Sequence, residues 1–268
     1  MKIFKKVDYY ANAFLHLKAD GKILSIFRIL FTIIGSIFIY HTISHFDINQ
    51  NDFSSSLESE IVYIAHYLWF ISLLSINIGK GLVWVKIIHW LLSAILLNTN
   101  DFWFVTNYFY AVTSFWMIFI DTNSHYNIYR SDKTQKQVKA WPIYFFFISI
   151  GMSFFTSGLT KLLDPVWLNG YGIKYFFQLG WPIANIFKDI FIPDILLFSL
   201  NYLVLFFEIS IIFLFLLPIT RHVGLILIFL FFGLLIFPLR LDMIGPFGIT
   251  ICVAFLSLRK IKKTNYEY

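Results

Sequence analysis

About eight apolar runs follow one another along the chain, each near the length that crosses a hydrocarbon core of ~30 Å. With no water in that core, every backbone N–H and C=O must be satisfied within its own segment, so runs of this length fold as helices. Their approximate bounds are 23–43, 61–78, 82–98, 102–120, 141–160, 195–217, 222–238 and 242–258. The expected fold class is therefore all-α: a polytopic helical membrane bundle. Hydrophobic residues make up 59% of the chain and charged residues 13%, where a soluble domain carries roughly 25% charged. That balance excludes a soluble enzyme on a single anchor. No charged linker or low-complexity run splits the 268 residues, so one transmembrane domain, 23–258, is the simplest organisation. Residues 1–22 place lysines around Tyr9, Tyr10, Phe14 and Leu17, a mix that suits a short helix on the membrane surface. Residues 259–268 form a basic tail. The first apolar run lacks a small-residue cleavage site and reads as a retained span, not a signal peptide.

The net charge of +6 is not a nucleic-acid footprint, because the lysines and arginines collect at the ends of the spans. Eight spans put both termini on one side. That side receives fifteen basic residues: five in 1–22, Lys80, four in 121–140, Arg221 and four in the tail. The opposite side receives four: Lys161, Lys174, Lys188 and Arg240. The positive-inside rule then places both termini in the cytoplasm, and the protein in the plasma (inner) membrane if it is bacterial. The acidic loop 44–60 and the segment 162–194, whose glycines and aromatics suggest short interfacial helices, fall outside.

Several chemistries are excluded. The single cysteine, Cys252, forms no intrachain disulfide and no cysteine-based metal site. There is no phosphate-binding glycine loop, no paired-histidine zinc motif and no serine triad. His66 and His89 lie inside spans two and three, where a lone histidine usually bonds helix to helix. Lys86 lies close enough to a span end to snorkel, and Arg28 either snorkels or packs. Glu208 sits at mid-depth in span six. An ionised carboxylate there is costly, so it is expected to be protonated or paired, either in an interhelical hydrogen bond or in a site.

The most informative stretch runs from Thr156 to Tyr171. Lys161 stands where span five leaves the membrane. Pro165 stops the helix, having no N–H to donate and a ring that clashes with the preceding turn. Asn169-Gly170 is a turn dipeptide, and Trp167 suits the membrane–water interface. Spacing leaves two roles for Lys161: an anchor that snorkels to the headgroups, or a functional amine. An amine is a base only when neutral, and the end of an apolar bundle under an aromatic roof favours that form.

The stretch Gly158-Leu159-Thr160-Lys161-Leu162, with Asp164, Trp167, Gly170 and Tyr171, resembles the signature of the vitamin K-dependent γ-glutamyl carboxylase family, and of the related HTTM (horizontally transferred transmembrane) proteins. The likeness runs over approximately residues 20–258. It takes in Phe27-Arg28-Ile29-Leu30 of the opening span, Asn107-Tyr108-Phe109-Tyr110 of span four, Glu208, and Arg221 in Pro218-Ile219-Thr220-Arg221. The resemblance implies that Lys161 is a base that deprotonates a reduced quinone of the vitamin K type. Oxygen then turns the quinone into a stronger base that takes a γ-proton from a glutamate, and carbon dioxide adds. It also implies chemistry on the non-cytoplasmic side, in agreement with the charge count.

Two features depart from the carboxylase. Its helper histidines are missing: one place falls on Thr106 or Asn107, the other near Phe232 to Leu235. Its large extramembrane C-terminal region, which grips the protein substrate, has no counterpart in the ten residues after the last span. The leading expectation is a membrane enzyme, a carboxylase- or quinone-epoxidase-like lyase, with catalytic Lys161 and Glu208. Gly158, Asp164, Trp167, Gly170, Tyr171, Arg221 and Arg240 shape the site or its motif. Arg240 with Asp242 either binds an anionic group or makes a hairpin ion pair. Its partners would be the bilayer, a lipid-soluble quinone, and an exported peptide or partner membrane protein. The rival is a non-enzymatic membrane factor that assists maturation or export of a peptide or toxin. A transporter ranks third, because no inverted repeat is visible.

The charge asymmetry predicts a topology. Reporter fusions after Lys263 and within 121–140 should read cytoplasmic, and fusions within 44–60 external. A cytoplasmic signal from 44–60 would overturn the eight-span arrangement.

Overall fold

The computed structural model describes residues 14–49, 56–78, 83–98, 104–123, 137–178, 192–216, 220–239 and 244–260. Eight helices stand where the apolar runs predict them: α1 (Gly21–Asn49), α2 (Ser56–Ile78), α3 (Val83–Asn98), α4 (Phe104–Phe119), α5 (Trp141–Leu163), α8 (Asp194–Leu216), α9 (Arg221–Leu239) and α10 (Ile244–Leu256). Between α5 and α8 lie two short helices, α6 (Pro165–Leu168) and α7 (Gly172–Gln178), inside the segment expected to hold interfacial helices. The fold is an all-α membrane bundle. Four helical stretches are long and apolar enough to cross a bilayer: Gly21–Ser44, Glu60–Ile78, Trp141–Leu163 and Asp194–Phe215. Val83–Leu97, Val223–Gly233 and Gly245–Leu256 are shorter apolar helices.

Two expectations about the ends of elements are corrected. Most of the loop expected at 44–60 is helix, because α1 runs on to Asn49 and α2 begins at Ser56. The apolar count marks where lipid ends, and a helix continues past it while its backbone bonds are satisfied. Residues 18–20, expected in a surface helix, are instead a strand. β1 (Lys18–Asp20) pairs antiparallel with β2 (Gln137–Lys139), with Ala19 opposite Val138 and both buried. Asp20 then caps α1, accepting from the backbone N–H of Lys22 at 2.9 Å. The pairing brings the start of α1 and the segment before α5 together. Residues 1–13, the turn around Lys80, the segment 124–136, Arg240 with Asp242, and the tail from 261 lie outside the described residues.

The chain forms two compact units: Met1–Tyr144 with Val253–Tyr268, and Phe145–Cys252. In the first, polar side chains inside the helices are spent on structure. Lys86 does not snorkel. It is buried and donates to the Ile120 carbonyl at 3.1 Å. Arg28 is fully buried and donates to Asn123 Oδ1, while Ser25 donates to the Thr122 carbonyl at 3.0 Å. All three grip the turn just past α4, where a helix carries unsatisfied carbonyls and partial negative charge, so two buried cations find compensation there.

His89 bonds helix to helix, as expected. Ser72 spends its hydrogen on the Trp69 carbonyl at 2.6 Å, so it accepts from His89 Nδ1 at 2.9 Å. His89 Nε2 is then the acceptor for the Tyr110 hydroxyl at 3.1 Å. Trp69 Nε1 donates to Ser93 Oγ at 2.7 Å, and Ser93 donates to the His89 carbonyl. Donor order thus fixes one neutral tautomer of His89. Gly35 lets Tyr110 approach: a Cβ there would meet its ring at 3.0 Å. His66 Nδ1 bonds the Val62 carbonyl at 2.8 Å, one turn back in its own helix.

His89→Phe fills the space but removes the His89 hydrogen bond from both the Ser72 and the Tyr110 hydroxyls. It should lower the stability of the purified protein by about 1–2 kcal/mol, read as a lower thermal midpoint in detergent. An unchanged midpoint would show that the network contributes nothing.

Candidate functional site

The second unit is built on a close approach of α5 and α8. Gly151 and Gly158 stand two turns apart on α5. A Cβ on Gly151 would lie 3.1 Å from Ile212 Cα; one on Gly158 would lie 2.9 Å from Ile209 Cγ1 and 3.1 Å from Glu208 Cβ. Small residues are what let membrane helices come this near. The aromatic core above them includes Phe154, Phe207, Phe231 and Phe232, with the rings of Phe207 and Phe231 stacked at 4.3 Å.

One turn beyond Gly158, in the last turn of α5, Lys161 forms an ion pair with Glu208 of α8. Its ammonium also donates to Ser157 Oγ at 3.1 Å, and lies 4.9 Å from the centroid of the Trp167 ring. Hydroxyl and carboxylate thus meet at one ammonium, and the three form one cluster. The Lys161 side chain is 23% exposed and that of Glu208 5%. Glu208 Oε2 is buried with no hydrogen-bond partner among the described residues. The cluster therefore offers a partly accessible amine and a spare buried acceptor beside it. Lys161 turns back to α8 and does not reach away to headgroups.

The turn after α5 shows why the motif residues are what they are. Asp164 caps α6, accepting from the Val166 N–H at 2.9 Å, and Pro165 takes the first helical position, where an N–H is not needed. Gly170 adopts φ +83°. The N–H of Gly170 donates to the Trp167 carbonyl and that of Tyr171 to the Val166 carbonyl, a Schellman closure. Phe198 packs where a Cβ of Gly170 would sit, and the Trp167 indole where one of Gly172 would sit. Tyr171 contributes its backbone, and its ring is exposed.

Asn201, missed in the sequence, ties this turn to α8. Fully buried, it donates to the Trp167 carbonyl at 2.9 Å and accepts from the Ile173 N–H at 3.3 Å. An asparagine in an apolar run seven residues before Glu208, hence on the same helix face, is the signal that would have found it. Lys174 pairs with Asp194 at 2.9 Å, an exposed contact of little energetic weight.

The HTTM domain family model matches residues 17–258. The chain belongs to the HTTM domain family. No curated protein and no solved structure matches it. Thr106, Asn107 and Phe232 are buried in this HTTM chain. Asn107 donates to the Leu97 carbonyl at 3.1 Å beside buried Thr106, and Phe232 fills the space over Gly248. The backbone of Arg221 opens α9. Its side chain, like Arg240, lies outside the described residues. Among the described residues no group of three or more histidine, cysteine, aspartate or glutamate side chains is placed to hold a metal ion.

Glu208→Gln keeps the hydrogen-bonding shape and removes the charge, so it should accumulate and insert normally. Glu208→Leu leaves the lysine without its counter-ion and should cost about 1–3 kcal/mol, less than a fully buried pair because Lys161 keeps some solvent. Equal thermal midpoints for both variants would show that the pair does not hold α5 to α8.

Proposed function

We propose that this HTTM protein is a membrane-embedded enzyme that uses Lys161 as a base at the non-cytoplasmic end of α5. The reaction class would be that of the carboxylase-like proteins: proton abstraction from a reduced, lipid-soluble quinone, coupled to modification of an exported peptide. The observation that carries this reading is the cluster itself. An amine held by Glu208, Ser157 and Trp167, with part of its surface open, is a costly arrangement for an anchor and a suitable one for a proton-handling group. Glu208 lies where it takes the proton from Lys161 or returns it, and its unengaged oxygen is a second acceptor for a bound hydroxyl. The residues present fit a quinol in this limited sense: one base, one carboxylate and an aromatic wall. When bound, the quinol would supply the oxygen-dependent chemistry, and the protein would supply the base and the exclusion of water.

One observation favours a second reading. Phe232 and the Thr106–Asn107 pair are committed to packing at the helper histidine places. A helper in peptide or toxin maturation retains the motif turn without completing the chemistry.

Arginine keeps the charge of Lys161 and its pairing with Glu208 but does not give up a proton. Lys161→Arg should therefore insert and accumulate normally, yet lose activity as fully as Lys161→Ala. The measurement is oxygen-dependent consumption of a reduced naphthoquinone by purified protein. The wild type should accelerate it, with both variants at background. Acceleration retained in Lys161→Arg would exclude the base. No acceleration by the wild type, with a bound exported peptide found on purification, would favour the helper.

A further inference from the structure

We infer that Asn201, acting through Trp167, is a positioning residue that sets the orientation and access of the Lys161 amine. The inference deepens the proposed base at Lys161 and rests on that reading for its relevance to activity, though not for its structural test.

The argument starts from α8. Asn201 and Glu208 are seven residues apart, two helical turns, and so lie on one face. Glu208 holds the amine directly. Asn201 holds what lies over the amine: its side-chain N–H donates to the Trp167 carbonyl and its Oδ1 takes the Ile173 N–H. A fully buried amide on an apolar helix needs such partners, and Asn201 meets them with the backbones of two short helices. Tyr202, the next residue, adds a hydroxyl bond to the Leu168 carbonyl at 2.7 Å. The Trp167 indole packs against Gly172, where any side chain would strike it. With the Trp167 carbonyl tied to Asn201, the ring stands with the ammonium of Lys161 4.9 Å from its centroid. Cation–π attraction orients the amine, and the ring's bulk limits its exposure. A face of α8 thus fixes both partners of the lysine, one by an ion pair and one through the turn.

The test is pulse labelling of the purified full-length protein with acetic anhydride at fixed pH. Modification at Lys161 is read by peptide mass spectrometry against exposed Lys22 in the other unit. Trp167→Leu removes the π face, and Asn201→Ala releases the turn. Each should label Lys161 about three- to tenfold faster than wild type, with Lys22 unchanged. Trp167→Phe keeps a π face and should stay within about twofold of wild type. Because both residues act through one element, the double variant Asn201→Ala/Trp167→Leu should be no faster than the faster single. Wild-type labelling in Asn201→Ala, or rates that multiply in the double variant, would overturn the inference. If Asn201→Ala does not accumulate, the Trp167 pair decides: equal labelling in Phe and Leu variants removes the ring from the mechanism. The quinone assay with Lys161→Arg is independent of these rates. A failed positioning device therefore leaves the base standing, and a failed base leaves the labelling pattern to be explained by structure alone.

Discussion

An ammonium at the foot of an apolar helix has to be met by something, and here it is met by a carboxylate from another helix. The Lys161–Glu208 pair sits beside Gly158, at one of the two glycines where α5 and α8 approach closely. Each feature requires the others. Without a glycine, the two helices stand too far apart for the pair. Without the pair, α8 would carry a buried carboxylate with no counter-charge, which is expensive in this setting. The turn through α6 then closes over the amine, and Asn201 ties that turn to the helix that supplies the carboxylate.

The first unit uses its polar residues differently. Lys86, Arg28 and Ser25 terminate α4, and His89 joins a closed set of donors and acceptors with Ser72, Tyr110, Trp69 and Ser93. None of these groups sits over an exposed, adjustable neighbour as Lys161 does. Depth in the membrane alone did not separate the two kinds of residue. What separates them is exposure: Lys86, Arg28 and His89 are buried, whereas the Lys161 side chain keeps 23% of its surface.

Much of the helical plan was legible because lipid makes hydropathy a strict code: all eight expected runs coincide with helices. The Thr156–Tyr171 turn was legible in its local chemistry, since Pro165 and Gly170 have few alternative uses. The strand pair was not, because a single buried apolar residue per strand, Ala19 and Val138, is too short an alternation to read. Lys86 was misjudged because a sequence gives distance from a span end but not the carbonyl waiting across the bundle. Asn201 escaped notice for a related reason: its partners are backbone atoms of a segment it approaches only in three dimensions.

The pairing of Lys18–Asp20 with Gln137–Lys139 joins segments that four helices separate. A ribosome delivers these segments in sequence, so the first strand emerges long before its partner exists. Helices α1 to α4 are all made while β1 waits unpaired, and the loop closes only once residue 139 has left the exit tunnel. Non-local pairings of this kind form late because the chain between them must first be ordered. The small sheet is thus a latch on the four helices already made, not a nucleus for them. Truncated nascent chains that end before residue 137 would carry an open β1 edge, the state in which such a protein is most exposed to mispairing.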